Sequence, residues 1–473
     1  MIKYYMDIEN KKPVKQVVKF FPYLVLGFSA LNVIFLGGKR RAFGIFVADL
    51  HHGEFNSTSL AELNWIGDSY AALGYISTTL STALILRSNR RYRLFQFIGA
   101  FLILLACLTS AVVPNAHWLF LTHTVLHGFG SSLILSTVGL IVNEYFDKNH
   151  PRHILATTLV SGGSVASIVF VQFYAYLIVD YGWRKAFVIL GLIYFVVNLS
   201  ACFVFARKFS NKSEEGLSKK SSVNVCRDIK SSQIPLLIFW TIDRIMTSIV
   251  TYGMLLNLAD YMRRSESKLT NSTSLTVLFA AGEASTYLIG TIITGLTKKF
   301  FHNRLKYILL VSTFLMAVSL VYWEFVSSNK HLSRLLAFVS GFCLGPSITF
   351  LFPAGEEMTT LPGHMAYPFS LFGMGIGMAV SPILTALIAQ IFDYNWFFLI
   401  QGGLIFIKFG CLASICVLLM GGSKHSKSFN IHDDSSDKKV LLDEEDSESD
   451  EKENTSPGKK SIEDDLLTVI RNR

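Results

Sequence analysis

Charged side chains are scarce in this sequence. Asp, Glu, Lys and Arg make up 16% of its 473 residues, whereas hydrophobic residues make up 51%. This composition argues against soluble enzymes, nucleic-acid-binding proteins and secreted scaffolds, and it is typical of a membrane protein. The net charge of +9 requires no nucleic-acid partner, because the cytoplasmic loops of membrane proteins are rich in Lys and Arg.

Residue patterns for covalent or metal chemistry are also missing. Cys226 lies in a polar stretch and the other cysteines lie inside apolar runs, so neither an external disulfide pair nor a metal-ligand spacing is visible. The sequence contains no nucleophile elbow and no P-loop, and its histidines lie mostly at the edges of loops. We therefore expect no enzymatic activity, no cofactor and no bound metal.

Long apolar runs are what the sequence does contain. A bilayer core needs about 20 apolar residues per helix. Runs of this kind lie at 20–47, 64–86, 94–113, 117–142, 154–179, 185–206, 233–261, 274–297, 307–327, 335–355, 365–391 and 395–420. They predict an all-α membrane protein with about 12 transmembrane helices in two six-helix halves.

The polar segments divide the chain. We predict a cytoplasmic N-terminal segment at 1–19, a six-helix half at 20–206, a cytoplasmic central loop at 207–232, a second six-helix half at 233–420 and a disordered acidic cytoplasmic tail at 421–473. Lys and Arg are denser in the loops after the second, fourth, sixth and eighth spans than in the other loops. The positive-inside rule therefore places both termini in the cytoplasm.

Each half has a glycine-rich segment in its fifth span, with Gly162 and Gly163 in the first half and Gly375 and Gly377 in the second. Small residues let helix backbones approach closely. Glycine-interrupted spans at matching positions of two halves indicate a transporter whose halves rock against each other. We interpret these glycines as conformational or gating positions, although each one singly also fits ordinary helix packing.

Charged residues inside the apolar runs are functional candidates, because a charge in hydrocarbon is costly unless it faces a cavity or a partner. Lys39, Arg40 and Arg41 lie late in the first span. The alternative for this cluster is snorkelling to the membrane interface. Asp68 lies early in the second span, where a role at the helix N-terminus is the alternative.

Three further charges lie near the estimated bilayer centre. Asp243 and Arg244 are about 15 Å from the start of the seventh span, and Glu283 is at a similar depth in the eighth. The alternative role is an ion pair that only fixes helix packing. Because a lone buried carboxylate is unfavourable, we expect Glu283 to pair with Arg244, while Asp243 faces elsewhere around its helix.

Several motifs of this chain have counterparts in a known family. They are Arg41-Ala42-Phe43-Gly44-Ile45-Phe46-Val47, Asn64-Trp65-Ile66-Gly67, Glu144-Tyr145-Phe146, Leu155-Ala156-Thr157-Thr158-Leu159-Val160-Ser161-Gly162-Gly163-Ser164, Tyr181-Gly182-Trp183-Arg184-Lys185-Ala186-Phe187, Gly375-Ile376-Gly377 and Ser381-Pro382. Together they resemble the monocarboxylate transporter family of the major facilitator superfamily, from the first span to the twelfth. The acidic-glycine-aromatic signature before the first span is missing.

Two positions depart from the family pattern. The family's eighth span carries an acid followed four residues later by an arginine; here Glu283 keeps the acid and Tyr287 occupies the arginine position. The first-span lysine of proton-coupled members corresponds to Arg41, which keeps the charge but does not release a proton at working pH. The substrate- and proton-binding candidates are Arg41, as an outer attractor of carboxylates, with Asp68, Asp243, Arg244, Glu283 and Tyr287.

The resemblance implies a secondary active or facilitative transporter that carries a small organic anion by alternating access, a monocarboxylate together with a proton, in the plasma membrane. It also implies a single-span immunoglobulin-like ancillary protein, besides membrane lipid. One alternative is a proton-independent facilitator of aromatic amino acids or related zwitterions, since Glu283 without its arginine would suit an amino group. Another is a non-transporting membrane receptor, for which the acidic tail is the only hint.

The predicted external loops contain the N-glycosylation sequons Asn56-Ser57-Thr58 and Asn271-Ser272-Thr273. We expect any N-glycan at Asn56 or Asn271, and an epitope on the tail should be reachable only after permeabilisation. Glycosidase digestion of the Asn56→Gln and Asn271→Gln variants and antibody labelling of cells measure this. Labelling of the tail in intact cells would contradict the orientation.

Overall fold

The computed structural model describes residues 12–166, 169–206, 229–265, 274–297, 301, 303–326, 329–391 and 396–420. Within these ranges every regular segment is helical. The α-helices are α1 Lys12–His52, α2 Leu60–Ile76, α3 Thr78–Arg87, α4 Tyr92–Ser110, α5 Ala116–Leu119, α6 Gly128–Tyr145, α7 His153–Ser161, α8 Gly163–Ala166, α9 Val169–Val204, α10 Ile234–Ser265, α11 Ser274–Leu296, α12 Leu305–Val326, α13 Lys330–Thr349, α14 Leu351–Thr359, α15 Gly363–Ile391 and α16 Trp396–Met420. A π-helix, Phe120–His127, joins α5 to α6.

The apolar runs form helices because a backbone surrounded by hydrocarbon must satisfy its hydrogen bonds within its own segment. Eleven described segments are long and apolar enough to cross a membrane, and they coincide with all the predicted runs except 154–179. The described part of that run consists of α7, α8 and the start of α9. The all-α fold is confirmed.

A glycine divides the long helix α9. Gly182 has a φ of +75° and a ψ of 157°, and it lies between the predicted fifth and sixth spans. A side chain would be strained at this positive φ, which glycine adopts freely. The chain therefore reverses at one residue, where the sequence predicts a short loop.

Two large hydrophobic cores and a small cluster of Leu361, Met365 and Ala366 hold the helices up to Leu418 in one compact unit. We call the helices within 20–206 the N-terminal set and those within 233–420 the C-terminal set. The first core lies within the N-terminal set and also takes in Phe352 of α14 with Tyr367 and Leu371 of α15. The second core lies among α10, α11, α12, α13, α15 and α16, and it takes in Val165 of α8. The two sets thus share packing through α8, α14 and α15.

Hydrogen bonds link the turn after α1 to the start of the sixth predicted span. Arg184 donates from Nε and Nη2 to the Glu54 carboxylate, at 3.2 and 2.7 Å, and from Nη1 and Nη2 to the carbonyls of Ala111 and Val113, at 2.8 and 3.0 Å. The hydrogen bonds from Arg184 hold the pKa of the exposed Glu54 carboxyl below its usual value. The Gly-Trp-Arg motif therefore joins three connections at one end of the bundle, the predicted outer end.

Several predicted features lie outside the described residues. They are the central loop from 207 to 228, the sequon at Asn271 and the tail from 421 to 473. Asn56 lies exposed in the turn between α1 and α2. That position is suitable for a glycan.

Helices α11 and α13 touch through glycines. A Cβ atom on Gly341 would lie 1.9 Å from the Phe279 carbonyl oxygen, and one on Gly282 would lie 2.2 Å from the Phe338 carbonyl oxygen. These distances are far below van der Waals contact, and the obstructing atoms belong to the backbone. The two helices can approach this closely only because both positions lack a side chain.

We predict that Gly341→Ala lowers the free energy of unfolding by about 1–3 kcal/mol, because the added methyl group must push two packed backbones apart. Gly403→Ala is the control, since a Cβ on Gly403 meets nothing within 4 Å. Thermal unfolding of the purified protein in detergent measures both variants. Equal unfolding temperatures for the two variants would contradict the close approach.

Candidate functional site

Arg40 lies where the two sets of helices meet. Its Nη1 atom donates to the Tyr75 hydroxyl. The guanidinium lies 4.9 Å from the ring centroid of Tyr75, on α2, and 5.8 Å from that of Tyr252, on α10. Arg40 and Tyr70 also line a cavity of about 30 Å³ between α1, α2 and α6. A permanent cation surrounded by tyrosines is well suited to hold a carboxylate.

The hydrogen-bonding capacity of this Arg40 site is not used up. Arg40 Nε is buried and has no hydrogen-bond partner among the described residues, and the same is true of Asp68 Oδ2. The Asp68 carboxylate is close enough to Arg40 to interact with it electrostatically. One free donor and one free acceptor near each other can serve a small polar ligand.

The alternative role for Asp68 at a helix N-terminus is wrong. Helix α2 begins at Leu60, and Ser59 caps it by accepting a hydrogen bond from the Glu62 amide at 3.2 Å. Asp68 therefore lies in the middle of the helix, because the chain becomes helical several residues before its apolar run starts. Asp68 belongs to the interior of the bundle and stays a site candidate.

The three cations of the first span have different positions. Arg41 lies on α1, but its side chain is outside the described part of the structure, so its role as a carboxylate attractor stays a prediction. Lys39 is 1% exposed, and snorkelling is therefore wrong for it. Its Nζ lies 3.5 Å from Cys107 Sγ and faces the rings of Tyr70 and Phe187, at 5.8 and 5.4 Å from their centroids.

Two histidines near Lys39 were missed by the sequence reasoning, which placed histidines at loop edges. His123 and His127 are fully buried in the π-helix. The His123 ring stacks on Phe43, with 4.6 Å between centroids, and lies 4.5 Å from Tyr70. Short π-helical segments are frequent at functional sites. The available signal was the spacing of two histidines four residues apart within an apolar run.

Arg244 does not pair with Glu283. Its guanidinium donates from Nε and Nη2 to Asp243 Oδ2, the first contact being 2.6 Å long, and from Nη1 to the Ser347 carbonyl at 2.7 Å. Its guanidinium carbon also lies 4.1 Å from the Trp240 ring centroid. The predicted Glu283–Arg244 pair is therefore wrong. Adjacent residues point about 100° apart on a helix, but the arginine side chain is long enough to fold back onto its neighbour.

A buried lysine completes this group, which we call the α10 charge cluster: Asp243, Arg244 and Lys408. Lys408, on α16, is 1% exposed and donates from Nζ to Ser347 Oγ at 2.6 Å. Arg244 binds the carbonyl of the same serine, so two buried cations meet at one residue and share one nearby carboxylate. The sequence reasoning missed Lys408, although a single lysine inside the last apolar run was the available signal.

Glu283 and Tyr287 lie one turn apart on α11, and both are buried. The Tyr287 hydroxyl donates to the Leu159 carbonyl of α7 at 3.2 Å. A Cβ on Gly162 would lie 2.1 Å from the Tyr287 ring. The residue at the family's arginine position therefore packs against the glycine-rich segment of the other set.

The other candidate glycines are also sites of close packing. A Cβ on Gly163 would lie 3.4 Å from Val33, an ordinary contact, whereas one on Gly375 would lie 2.8 Å from the Ile76 amide and one on Gly377 would lie 2.4 Å from the Ile245 carbonyl. Gly375 thus brings α15 against α2 of the other set. Whether these glycines act in gating stays a prediction.

These observations define a class of protein. Apolar helices that enclose buried charges and divide into two sets of spans are typical of an integral, multi-pass membrane protein. The family model of the Major Facilitator Superfamily matches residues 25–366. The chain belongs to the major facilitator superfamily.

Curated relatives agree with the resemblance found in the sequence. The chain is 24% identical over 217 residues to monocarboxylate transporter 2 of Mesocricetus auratus, which covers 45% of this chain and 43% of the relative. It is 32% identical over 114 residues to monocarboxylate transporter 14 of Homo sapiens. That match covers 24% of this chain and 21% of the relative. The matched stretch therefore spans less than half of each relative.

Solved structures agree with the fold. The E. coli fucose:proton symporter superposes with a TM-score of 0.57 at 12% identity and covers 84% of this chain and 97% of its own. A double-tryptophan variant of XylE superposes with a TM-score of 0.61 at 14% identity. The superposition covers 85% of this chain and 95% of the XylE chain. At such low identity the likeness concerns the fold alone.

The α10 charge cluster can be tested by removing its anion. We predict that Asp243→Asn lowers the free energy of unfolding by about 3–5 kcal/mol, because two buried cations then lack a carboxylate. Adding Lys408→Met should recover part of this loss, since it removes one of the two cations. Thermal unfolding in detergent measures the double-mutant cycle, with Asp180→Asn as the exposed carboxylate control. Strictly additive effects would show that Asp243 and Lys408 do not interact.

Proposed function

We propose that this chain carries a small organic anion, a monocarboxylate together with a proton, across the plasma membrane by alternating access. The observation that carries the proposal is Arg40, a permanent cation at the meeting line of the two sets with one guanidinium N–H left without an acceptor among the described residues. A substrate carboxylate would accept that N–H. The charge-assisted bond would replace the water that the anion loses on entering the membrane.

The cavity beside Arg40 is too small for the substrate in this conformation. A cavity of about 30 Å³ holds about one or two water molecules and no carboxylic acid. Tyr252 of the C-terminal set lies against Arg40, so in the proposal α10 moves away from Arg40 for substrate to bind. In the proposal, residues 20–206 and 233–420 are the moving halves, and Gly162, Gly163, Gly375 and Gly377 allow their surfaces to slide.

The other predicted site residues have supporting roles in this proposal. Arg41 attracts anions toward the site, and Asp68 beside Arg40 accepts the proton that accompanies the substrate. Glu283 and Tyr287 couple the C-terminal set to α7, and the α10 charge cluster supplies a second titratable group. Both termini lie in the cytoplasm, and delivery to the surface uses a single-span immunoglobulin-like partner, as the family resemblance implies.

A second candidate function has its own support. The tyrosines around Arg40 can stack on an aromatic ring, and Asp68 beside Arg40 can bind an ammonium group. An aromatic amino acid presents a carboxylate, an ammonium and a ring together. Facilitated transport of such a zwitterion would need Asp68 ionised and would not depend on a proton.

Arg40→Ala should lower uptake of the transported anion about 100-fold, because it removes the only described guanidinium of the cavity, and Arg40→Lys should keep part of it. Labelled lactate, pyruvate, ketone bodies and aromatic amino acids, offered at external pH of about 6 and about 7.5, measure substrate choice and proton coupling. Arg87→Ala, at the exposed end of α3, is the control. Arg41→Ala should also abolish uptake, whereas Arg41→Lys should retain it with a stronger pH dependence.

Asp68→Asn separates the two candidates, because the neutral amide imitates a protonated Asp68 but cannot exchange a proton. Uptake of a monocarboxylate should lose its pH dependence, and uptake of an amino acid should be abolished. Normal uptake by Arg40→Ala would contradict the assigned site. Saturable binding without accumulation of any compound in the panel would favour a receptor over a transporter.

A further inference from the structure

One buried pair of titratable side chains crosses between the two sets of helices. His153, the first residue of α7, places Nε2 at 2.6 Å from Glu356 Oε2, on α14, and the two side chains are 7% and 4% exposed. The pair lies at the end of the bundle that the Lys and Arg distribution assigns to the cytoplasm. It joins residues 203 positions apart in the chain.

The hydrogen bonds of His153 fix how many protons the pair contains. His153 Nδ1 lies 2.8 Å from the Phe146 carbonyl oxygen, which can only accept, so Nδ1 carries a hydrogen. Nε2 and the carboxylate oxygen are both acceptors unless a proton lies between them, and their distance of 2.6 Å requires that proton. Whether it resides on the imidazole or on the carboxyl, the pair as a whole is neutral and holds one shared proton.

Loss of the shared proton would turn this attraction into repulsion. A neutral imidazole with hydrogen on Nδ1 presents the lone pair of Nε2 to an ionised carboxylate, and both groups are shielded from bulk water. A buried acceptor facing a buried anion is unfavourable, so the contact would break. The contact therefore exists only while the proton is bound.

The proton has a path to the aqueous phase. A cavity of about 490 Å³ reaches the pair and is lined by both His153 and Glu356. The other charged or titratable groups in this region are Glu144, Asp147, Lys148, His150, Arg304, Glu357 and His364. Glu144 accepts from the Tyr92 hydroxyl at 2.6 Å, and Glu357 accepts from the Leu305 and Lys306 amides at 3.3 Å.

The start of α15 packs closely against the His153–Glu356 pair. A Cβ on Gly363, at the start of α15, would lie 2.0 Å from Glu356 Oε1 and 2.6 Å from Asn143 Oδ1. The backbone of α15 thus lies directly against the carboxylate. When the pair separates, α7 and α14 lose a contact that lies directly beside the start of α15.

We propose that His153 and Glu356 form a proton-binding site that holds the cytoplasmic end of this transporter closed, and that release of their shared proton into the cytoplasm opens it. The proposal deepens the proposed function, since it assumes that the two sets separate at this end during transport. The proton leaves from between Nε2 and Oε2 through the adjacent cavity. It returns from the same side before the end can close again.

The pH dependence follows from the charge environment. Burial alone would lower the pKa of His153, but the hydrogen bond to Glu356, its charge and the Phe146 carbonyl outweigh burial and raise the pKa. A group whose pKa is higher in the closed state stabilises that state at low pH. The stabilisation is lost as cytoplasmic pH rises through the raised pKa. Acid therefore keeps this end closed, and alkali opens it.

The test measures the opening itself and needs no substrate. Spin labels on Asn149→Cys and Asn303→Cys, both exposed and on opposite sides of the cavity, report the separation in the full chain with its native cysteines replaced by serine. Between about pH 6 and about pH 9, a range that extends well above the ordinary histidine pKa of about 6.5, the ratio of closed to open molecules should fall about 10-fold. The change should reverse when the pH is lowered again.

Three variants assign the effect to the pair. His153→Arg keeps a permanent cation opposite Glu356 and should stay closed across the whole range. Glu356→Gln can accept from Nε2–H of the protonated imidazole through its amide oxygen and can donate to the Nε2 lone pair of the neutral imidazole through its amide nitrogen, so it should remove the pH dependence. His150→Gln, a neighbouring histidine on the same cavity, is the control and should behave like the wild type.

Unchanged distances in the wild type across this range would overturn the proposal, and so would a wild-type response in both His153→Arg and Glu356→Gln. Loss of the response in His150→Gln alone would assign the site to the wrong histidine and would overturn it too. Because the measurement uses no substrate, failure of the proposed anion transport would leave these distances unaffected.

Discussion

A charged side chain buried between apolar helices has to be stabilised by the protein, because the surrounding hydrocarbon offers neither water nor counterions. This constraint organises the interior of the bundle. Arg244 is neutralised by the adjacent Asp243, Arg40 is bound by a tyrosine hydroxyl and two ring faces, and Lys39 rests on a thiol and two rings. The helices that provide these partners are the ones that must lie next to each other.

These solutions differ in how easily they can be rearranged. The Asp243–Arg244 contact joins neighbours on one helix, so it survives any movement between the sets. The contacts of Arg40 with Tyr252, of Tyr287 with Leu159 and of His153 with Glu356 each cross from one set to the other. Movement between the sets would break the contacts that cross from one set to the other and would leave the Asp243–Arg244 contact intact. The sets could then move without unfolding the core.

Membership of the major facilitator superfamily and the choice of substrate rest on different parts of the chain. Membership of the superfamily is recognised from the arrangement of the helices and from motifs such as the Gly-Trp-Arg turn, in which Arg184 joins three connections. In the proposed function, substrate choice depends on a few polar groups, and two positions depart from the family pattern: Arg41 in the first span and Tyr287 in place of an arginine.

The sequence by itself determined the helices, their number to within one span and the superfamily, because apolar runs of membrane length and short backbone motifs are local properties. It also identified Asp68, Asp243, Arg244 and Glu283 as interior charges, since any charge within such a run must have a partner. The choice of partner is not local. Tertiary structure alone decided that Lys408 reaches Ser347 and that His153 meets Glu356, because these contacts depend on how helices far apart in the sequence pack. It also decided that Arg244 binds Asp243, because a long, flexible side chain can fold back onto its neighbour or extend to another helix.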